Sequence, residues 1–409
     1  MAIKTKTKRK MEVIAATGND AVAYAIKQIN PDVVAAYPIT PQSEIVHGVA
    51  GYAADGVIDT IMVPVESEHS ALSVCIGASA SGARSMTATC SQGLALMWEM
   101  LYIAASLRLP IVIANACRAL SAPINIHCDH SDVMGARDSG FIQFFSEHAQ
   151  EAYDNIIQAV RIAEDPRVRL PVLSAHDGFI TSHSLMRVEV LPDEAVREFV
   201  GEYEPQHSLL DFQNPICFGA FDGLAGYYFE HKREQIEAME RAKGVILEVG
   251  EEFGRLTGRS YGFFETYQIE DAQVAVVVQA SATGVCRIVV DKLRREGLKV
   301  GLLRLRVFRP FPADELVEAL GHLDIVGVMD RAGSPGLRGG PLFTDLKGAF
   351  YDAFCQGKIE PRTKIVSFIY GLGGREFIPD QAEDIFRELI ELRDKDKLEN
   401  LAYYAGLKG

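Results

Sequence analysis

The feature that most constrains this chain is a repeated alternation of short apolar runs with longer amphipathic stretches. Residues 33–37, 85–89, 111–114 and 172–175 are short runs of small, apolar or β-branched side chains, as buried strands are. Residues 19–28, 67–80, 93–107 and 149–163 carry apolar positions at helical spacing. A strand–helix rhythm of this kind predicts parallel strands in one sheet, with helices on both faces. Ligands in such sheets bind beyond the carboxyl ends of the strands. The residues that follow each apolar run are therefore the candidates for ligand contact.

A second unit of the same kind starts near residue 272. Strands are predicted at 274–279, 300–304, 325–329 and 365–369, and helices at 282–295, 313–319, 340–354 and 380–393. Between the units, Pro192, Pro205 and Pro215 punctuate an irregular segment from 187 to 218. Residues 223–256 read as a helix with Ile236, Met239, Ile246, Val249 and Phe253 near one face, a core or subunit-packing stripe. The expected fold class is α/β, with two parallel-sheet αβα domains.

Charge and cysteine usage narrow the function. The 409 residues hold 41 Lys and Arg against 55 Asp and Glu, a net charge of −14 that repels nucleic acid phosphates. Lys4, Lys6, Lys8, Arg9 and Lys10 open the chain without the long apolar stretch of a signal peptide, so they read as a solvated tail. No apolar run is long enough to cross a bilayer, and a soluble cytoplasmic protein without a membrane partner is expected. The seven cysteines are scattered, with no CxxC pair. That argues for reduced, mostly buried thiols, and against an iron–sulfur or zinc site in this chain.

Three clusters fall at predicted strand ends. In Tyr37-Pro38-Ile39-Thr40-Pro41, two prolines force a turn. The Thr40 hydroxyl there is either a donor to a substrate oxygen or a helix cap. In Val65-Glu66-Ser67-Glu68-His69-Ser70, acidic residues open an apolar helix, where the macrodipole favours them. The small-residue stretch 71–82 behind them permits close approach of a ligand, and a carboxylate withdrawn from water can share a proton with a heterocycle. In Ala116-Cys117-Arg118-Ala119, Arg118 suits either a substrate carboxylate or a surface ion pair.

Weaker signals surround these. The turn at Ser91-Gln92-Gly93 offers backbone N–H groups to an anion, or simply starts a helix. His127 and His130 have zinc-like character but lack a second ligand pair, so hydrogen-bonded loop histidines are expected and no metal. Gly371-Leu372-Gly373-Gly374 lacks the spacing of a dinucleotide fingerprint, which counts against an NAD-binding dehydrogenase.

Taken in order, YPITPQ (37–42), VESEHS (65–70), GASASG (77–82), TCSQGLALM (89–97), RLPIV (108–112) and CRALSAP (117–123) resemble the alpha subunit of the pyruvate:ferredoxin oxidoreductase family. DHSD (129–132), RDSGF (137–141), DGFITSH (177–183), RPFP (309–312) and GLGGRE (371–376) continue the resemblance across nearly the whole chain. It implies a pyrimidine-binding domain of thiamine enzymes over 1–230, a connecting helical segment over 231–265, and a transketolase C-terminal-like domain over 266–409. It also implies roles. Glu68 would bond the aminopyrimidine ring of thiamine diphosphate, and Thr40 and Arg118 would hold the substrate carboxylate. Ile39 and Gln92 would be further cofactor contacts, whereas Glu66 does not align with the catalytic position.

The same resemblance implies what other chains supply. Neither Ala54-Asp55-Gly56 nor His176-Asp177-Gly178 completes the diphosphate and Mg²⁺ motif of thiamine enzymes. A beta subunit would carry that site, alongside a gamma subunit, an iron–sulfur subunit and, for some acceptors, a flavin subunit. Coenzyme A would be the co-substrate. The implied reaction is oxidative decarboxylation of a 2-oxoacid, with pyruvate foremost. Phenylglyoxylate or a branched-chain 2-oxoacid, with NAD or ferredoxin as acceptor, is the alternative within the class. A non-catalytic scaffold subunit is the alternative outside it.

Overall fold

The computed structural model describes residues 11–408. The basic tail expected at 4–10 lies outside them. A seven-stranded sheet orders its strands as Val307–Arg309, Ile142–Ser146, Val172–Asp177, Val112–Cys117, Ser85–Thr89, Val33–Ala36 and Ile61–Pro64. All are parallel except the edge strand Val307–Arg309, which pairs antiparallel with Ile142–Ser146. A six-stranded sheet runs Ala402–Ala405, Lys364–Tyr370, Ile325–Asp330, Val274–Val278, Val300–Leu305 and Phe264–Tyr267. Only its edge strand Phe264–Tyr267 is antiparallel.

The two sheets are tied together. The chain leaves the second sheet at Leu305 and at once lends residues 307–309 to the first. One apolar core is continuous across both units: Phe145 and Phe308 pack edge to face with ring centroids 6.2 Å apart, and Leu303, Leu316 and Phe343 join the same cluster. Burying so many apolar side chains at one junction resists rigid-body separation.

Most predicted elements are present, with shifted ends. The helix predicted at 93–107 divides into Ser91–Leu96 and Trp98–Ser106, joined at Met97. The segment after 187 is more regular than its prolines suggest. Met186–Val190 pairs antiparallel with Glu12–Ala16 as a two-stranded ribbon, and Asp193–Val200 is helical. The long helix is Tyr228–Thr257, and its buried face is Ala238, Ala242, Val245, Ile246, Val249 and Phe253. Ile236, expected in that stripe, is exposed: on the same turn Gln235 and Ala238 are the buried residues, and Ile236 lies on the side of the helix away from the body. No helix among the described residues is long and apolar enough to cross a membrane. Five cysteines are buried, whereas Cys217 and Cys355 are exposed.

Candidate active site

The parallel sheet has a switch point at Val33–Ala36. The chain passes from that strand to Ile61–Pro64 on one side, then crosses back to Ser85–Thr89 on the other. Loops on the two sides diverge there and leave a crevice at the strands' carboxyl ends. Thr40, Glu68, Gln92 and Arg118 all follow strands of this group, and the fold brings all four to one edge of the sheet.

Glu68 is the first residue of the helix Glu68–Ala80, which Ser67 caps by accepting from the Ser70 backbone N–H at 3.2 Å. Glu68 is 6% exposed, yet its carboxylate makes no hydrogen bond or ion pair with any described residue. Buried carboxylates are ordinarily paired, because desolvating one without a partner is costly. Facing it is Gly93, where an added Cβ would lie 2.7 Å from Glu68 Oε1 and 2.4 Å from Thr89 Oγ1. The Thr89 hydroxyl is also buried without a partner. Two orphaned polar groups thus meet beside a position where only glycine leaves room. Glu66 is exposed by contrast, and its carboxylate accepts from the Ser70 hydroxyl, which lowers its pKa.

Arg118 is 7% exposed and forms no ion pair among the described residues, so the surface-pair alternative does not hold. Its Nε donates to the Asn125 carbonyl at 3.1 Å and its Nη1 to the Thr40 carbonyl at 2.9 Å. Both acceptors are neutral, so the guanidinium keeps its full charge, and Nη2 donates to no oxygen among the described residues. Thr40 is exposed and does not cap the following helix Ser43–Ala54, whose capping position is Gln42. Ile39 is half-buried, and its carbonyl accepts from the Gln42 N–H at 2.8 Å. The Gln92 amide donates to the Ser121 hydroxyl at 2.6 Å.

Sequence reasoning missed Asp132. The N–H of Ser91, offered above as an anion site, is taken by this internal carboxylate at 2.9 Å. The same Oδ2 accepts from the Arg118 N–H at 3.1 Å and from Asn115 Nδ2 at 3.1 Å. Asp132 therefore pins together the two strand-end turns that carry Gln92 and Arg118. Complete burial raises its pKa to about 6 despite these four donors, the fourth being the Val133 N–H. A buried Asp after a predicted loop gave no local signal, since its partners are 14 and 41 residues away.

The histidines divide. His127 contacts Asn125 and stacks near Phe179, whereas His130 Nε2 meets Asp177 Oδ1 at 2.7 Å. Cys117, His130 and Asp177 converge at metal-like spacing. Their groups are already engaged: Asp177 also accepts from Arg331 Nη1 at 2.8 Å and from the Ser281 hydroxyl. Burial alone would raise the Asp177 pKa, but His130 and Arg331 hold it well below the carboxylate range. Burial also pushes the Cys117 thiol well above its ordinary pKa, and the thiol form is a poor ligand. Asp55 caps the carboxyl end of a helix instead of following a strand. Asp177 is thus engaged, and Asp55 lies ahead of the strand Ile61–Pro64, away from the crevice at the strands' carboxyl ends.

The glycine run 371–374 serves docking. Gly373, Gly371 and Gly374 all have positive φ. The Gly373 carbonyl accepts from Asn125 Nδ2 at 2.9 Å, and the Gly373 N–H donates to Asp129 Oδ2 at 3.1 Å. A Cβ on Gly374 would lie 2.2 Å from that of His127. The second unit thus holds the loop 119–130, which in turn holds Arg118.

Comparison with known proteins agrees with this architecture. Residues 24–251 match the family described as pyruvate flavodoxin/ferredoxin oxidoreductase, thiamine diP-bdg. Residues 272–382 match pyruvate:ferredoxin oxidoreductase core domain II. The pyruvate synthase subunit PorA of Thermotoga maritima is 53% identical over 382 residues, 93% of this chain and 95% of that protein. The ketoisovalerate oxidoreductase subunit VorA of Pyrococcus horikoshii is 43% identical over 393 residues, 96% of this chain and 97% of that protein. In fold, the chain resembles a solved 2-oxoglutarate:ferredoxin oxidoreductase from Magnetococcus marinus, with a TM-score of 0.71 at 22% identity. That match covers 93% of this chain and 66% of the other. A split-gene transketolase gives a TM-score of 0.53 at 12% identity, over 93% of this chain and 99% of the other. Sequence and fold together make this chain a member of the pyruvate flavodoxin/ferredoxin oxidoreductase family of thiamine-dependent enzymes.

Proposed function

We propose that this chain is the alpha subunit of a multisubunit, CoA-acylating pyruvate oxidoreductase, and that Glu68, Thr40 and Arg118 act in its catalysis. The observation that carries the reading is the buried, partnerless Glu68 carboxylate facing Gly93. An aminopyrimidine fits this place, because it brings a ring nitrogen that can carry a proton and it needs a flat, unobstructed approach. Thiamine diphosphate, when bound, supplies the electron sink for loss of CO₂ from the 2-oxoacid.

The chain's own residues do the rest. Glu68 accepts a hydrogen bond from the pyrimidine N1′ and holds a proton there. Ile39 and Gln92 contact the cofactor from the two neighbouring turns. Arg118 Nη2 and the Thr40 hydroxyl take the substrate carboxylate, fixing its orientation before reaction. The division at about residues 230 and 266 separates the pyrimidine-binding part from the transketolase-like part. With Asp177 held by Arg331 and His130, the diphosphate and Mg²⁺ site belongs to a beta subunit. Iron–sulfur clusters on further subunits would supply the electron acceptors.

Pyruvate is the first reading because the PorA relative is 53% identical. A branched-chain 2-oxoacid is the second, because the VorA relative is still 43% identical over as much of the chain. Assaying the assembled complex with pyruvate, 2-oxoisovalerate, 2-oxoglutarate and phenylglyoxylate in the presence of coenzyme A separates them. A higher kcat/KM for pyruvate is expected. Near-wild-type turnover by Glu68→Ala would leave only a scaffold role.

A further inference from the structure

A cavity of about 760 Å³ lies at the opposite edge of the same sheet from the active site. Leu109 and Pro110, on its wall, precede the strand Val112–Cys117, whereas Arg118 follows it. Six residues at about 3.3 Å each put roughly 20 Å between the two ends. The cavity is therefore separate from the crevice that holds Thr40, Glu68 and Arg118.

Its walls carry Arg108, Arg169, Lys232 and Arg241. None of these four forms an ion pair among the described residues. Their hydrogen bonds go to neutral oxygens: Arg108 to the carbonyls of Arg169 and Val168, Arg169 to that of Glu204, Arg241 to that of Arg167, and Lys232 to Ser106 and Gln235. Asp222 and Glu234 are the carboxylates on the wall, two against four cations. Such an excess is conspicuous in a chain of net charge −14. Arg169 is 9% exposed, and its Nε is buried with no partner. Burial lowers the Arg108 pKa, and the nearby Arg241 lowers it further. Clustered guanidinium groups left in this state are stabilised by a bound anion.

Aromatic rings sit beside the cations. Arg169 lies 6.0 Å from the Tyr203 ring centroid and Lys232 5.7 Å from that of Tyr228. Tyr228 is 64% exposed on the same wall. Flat rings next to phosphate-binding groups match a ligand that joins a planar base to phosphates. The volume is within the range of small-molecule sites.

We propose that this cavity binds a nucleoside diphosphate or triphosphate group, with Arg169, Arg108 and Arg241 on the phosphates and the tyrosines against the base. Free nucleotides and the ADP half of coenzyme A both present this chemistry. The test is equilibrium dialysis of the assembled complex with ADP, ATP, coenzyme A and pyrophosphate. Saturable ADP binding is expected, weakened about tenfold by Arg169→Gln and by Arg241→Gln. Arg241 is exposed, so its variant also guards against misfolding at Arg169. Arg118→Lys, which alters the active site and not this cavity, should bind ADP as wild type does, which separates this site from the catalytic reading. Competition of coenzyme A with ADP supports the cofactor's ADP half as the source, and its absence supports a free nucleotide. The proposal is overturned if no probe binds, if Arg241→Gln binds ADP as wild type does, or if pyrophosphate binds as tightly as ADP.

Discussion

Asp177 and Arg331 meet inside the protein at 2.8 Å, with side chains 0% and 2% exposed, and join the end of a strand in one sheet to the end of a strand in the other. His130 completes the bond on the Asp177 side, and the Tyr370 ring centroid lies 5.2 Å from the Arg331 guanidinium. Charges desolvated this thoroughly depend on each other.

Removing one partner should therefore be expensive. Asp177→Ala strands Arg331 in the interior and is expected to cost about 3–5 kcal/mol. The double variant Asp177→Leu/Arg331→Met should lose less than Asp177→Ala alone. Urea unfolding of the three proteins checks the order. Because the Asp177 pKa is held below that of an unfolded aspartate, its contribution is fully present above about pH 5 and is lost only as acid titrates the folded state.

Glu68→Ala should lower turnover of the assembled complex by about 10²–10⁴-fold. Stability should stay level or rise, since the lost carboxylate had no partner to leave behind. Turnover assayed beside a thermal melt distinguishes this from general damage, in which both would fall together.

Gly93→Ala acts on the same place without touching charge. Its Cβ would stand 2.4 Å from Thr89 Oγ1 and 2.7 Å from Glu68 Oε1, so Glu68 must move. Titration of the variant complex with thiamine diphosphate should show weaker binding by at least about tenfold. Unchanged affinity would place the pyrimidine elsewhere.

Arg118→Lys keeps the charge but loses the planar fork. The KM for pyruvate should rise about tenfold or more, with a smaller change in kcat. An effect on kcat alone would assign Arg118 to the reaction step instead of to substrate binding.

Asp330 gives a pH signature. Burial raises its pKa to about 7, although the Leu342 and Phe343 N–H groups bond it at 2.8 and 3.1 Å. A folded-state pKa above the unfolded value means that its stabilisation is complete below about pH 4 and is lost as pH rises through 7. Asp330→Asn does not titrate there. The stability of wild type relative to this variant should therefore shrink between pH 5 and pH 8, as melts at both pH values will show.

Much of this is legible in the sequence. Alternating strand and helix periods are local, and they marked most of the parallel strands and the helices between them. The missed strands, such as Ile61–Pro64, Phe264–Tyr267 and Ala402–Ala405, are edge or short elements with too few residues to show a period. Ile236 fell on the predicted apolar face, but helical spacing does not reveal which side of the helix meets its neighbour.

The linear order of residues determined the fold class, the positions of Thr40 and Arg118 after their strands and that of Glu68 at a helix start, because hydrogen bonding and apolar periodicity act over a few neighbours. Tertiary structure alone decided that Glu68 is buried without a partner, that Asp132 ties Ser91 to Arg118, and that Asp177 is spent on Arg331. Those facts depend on desolvation and on contacts between residues as many as 154 positions apart, where burial sets the strength of every charge.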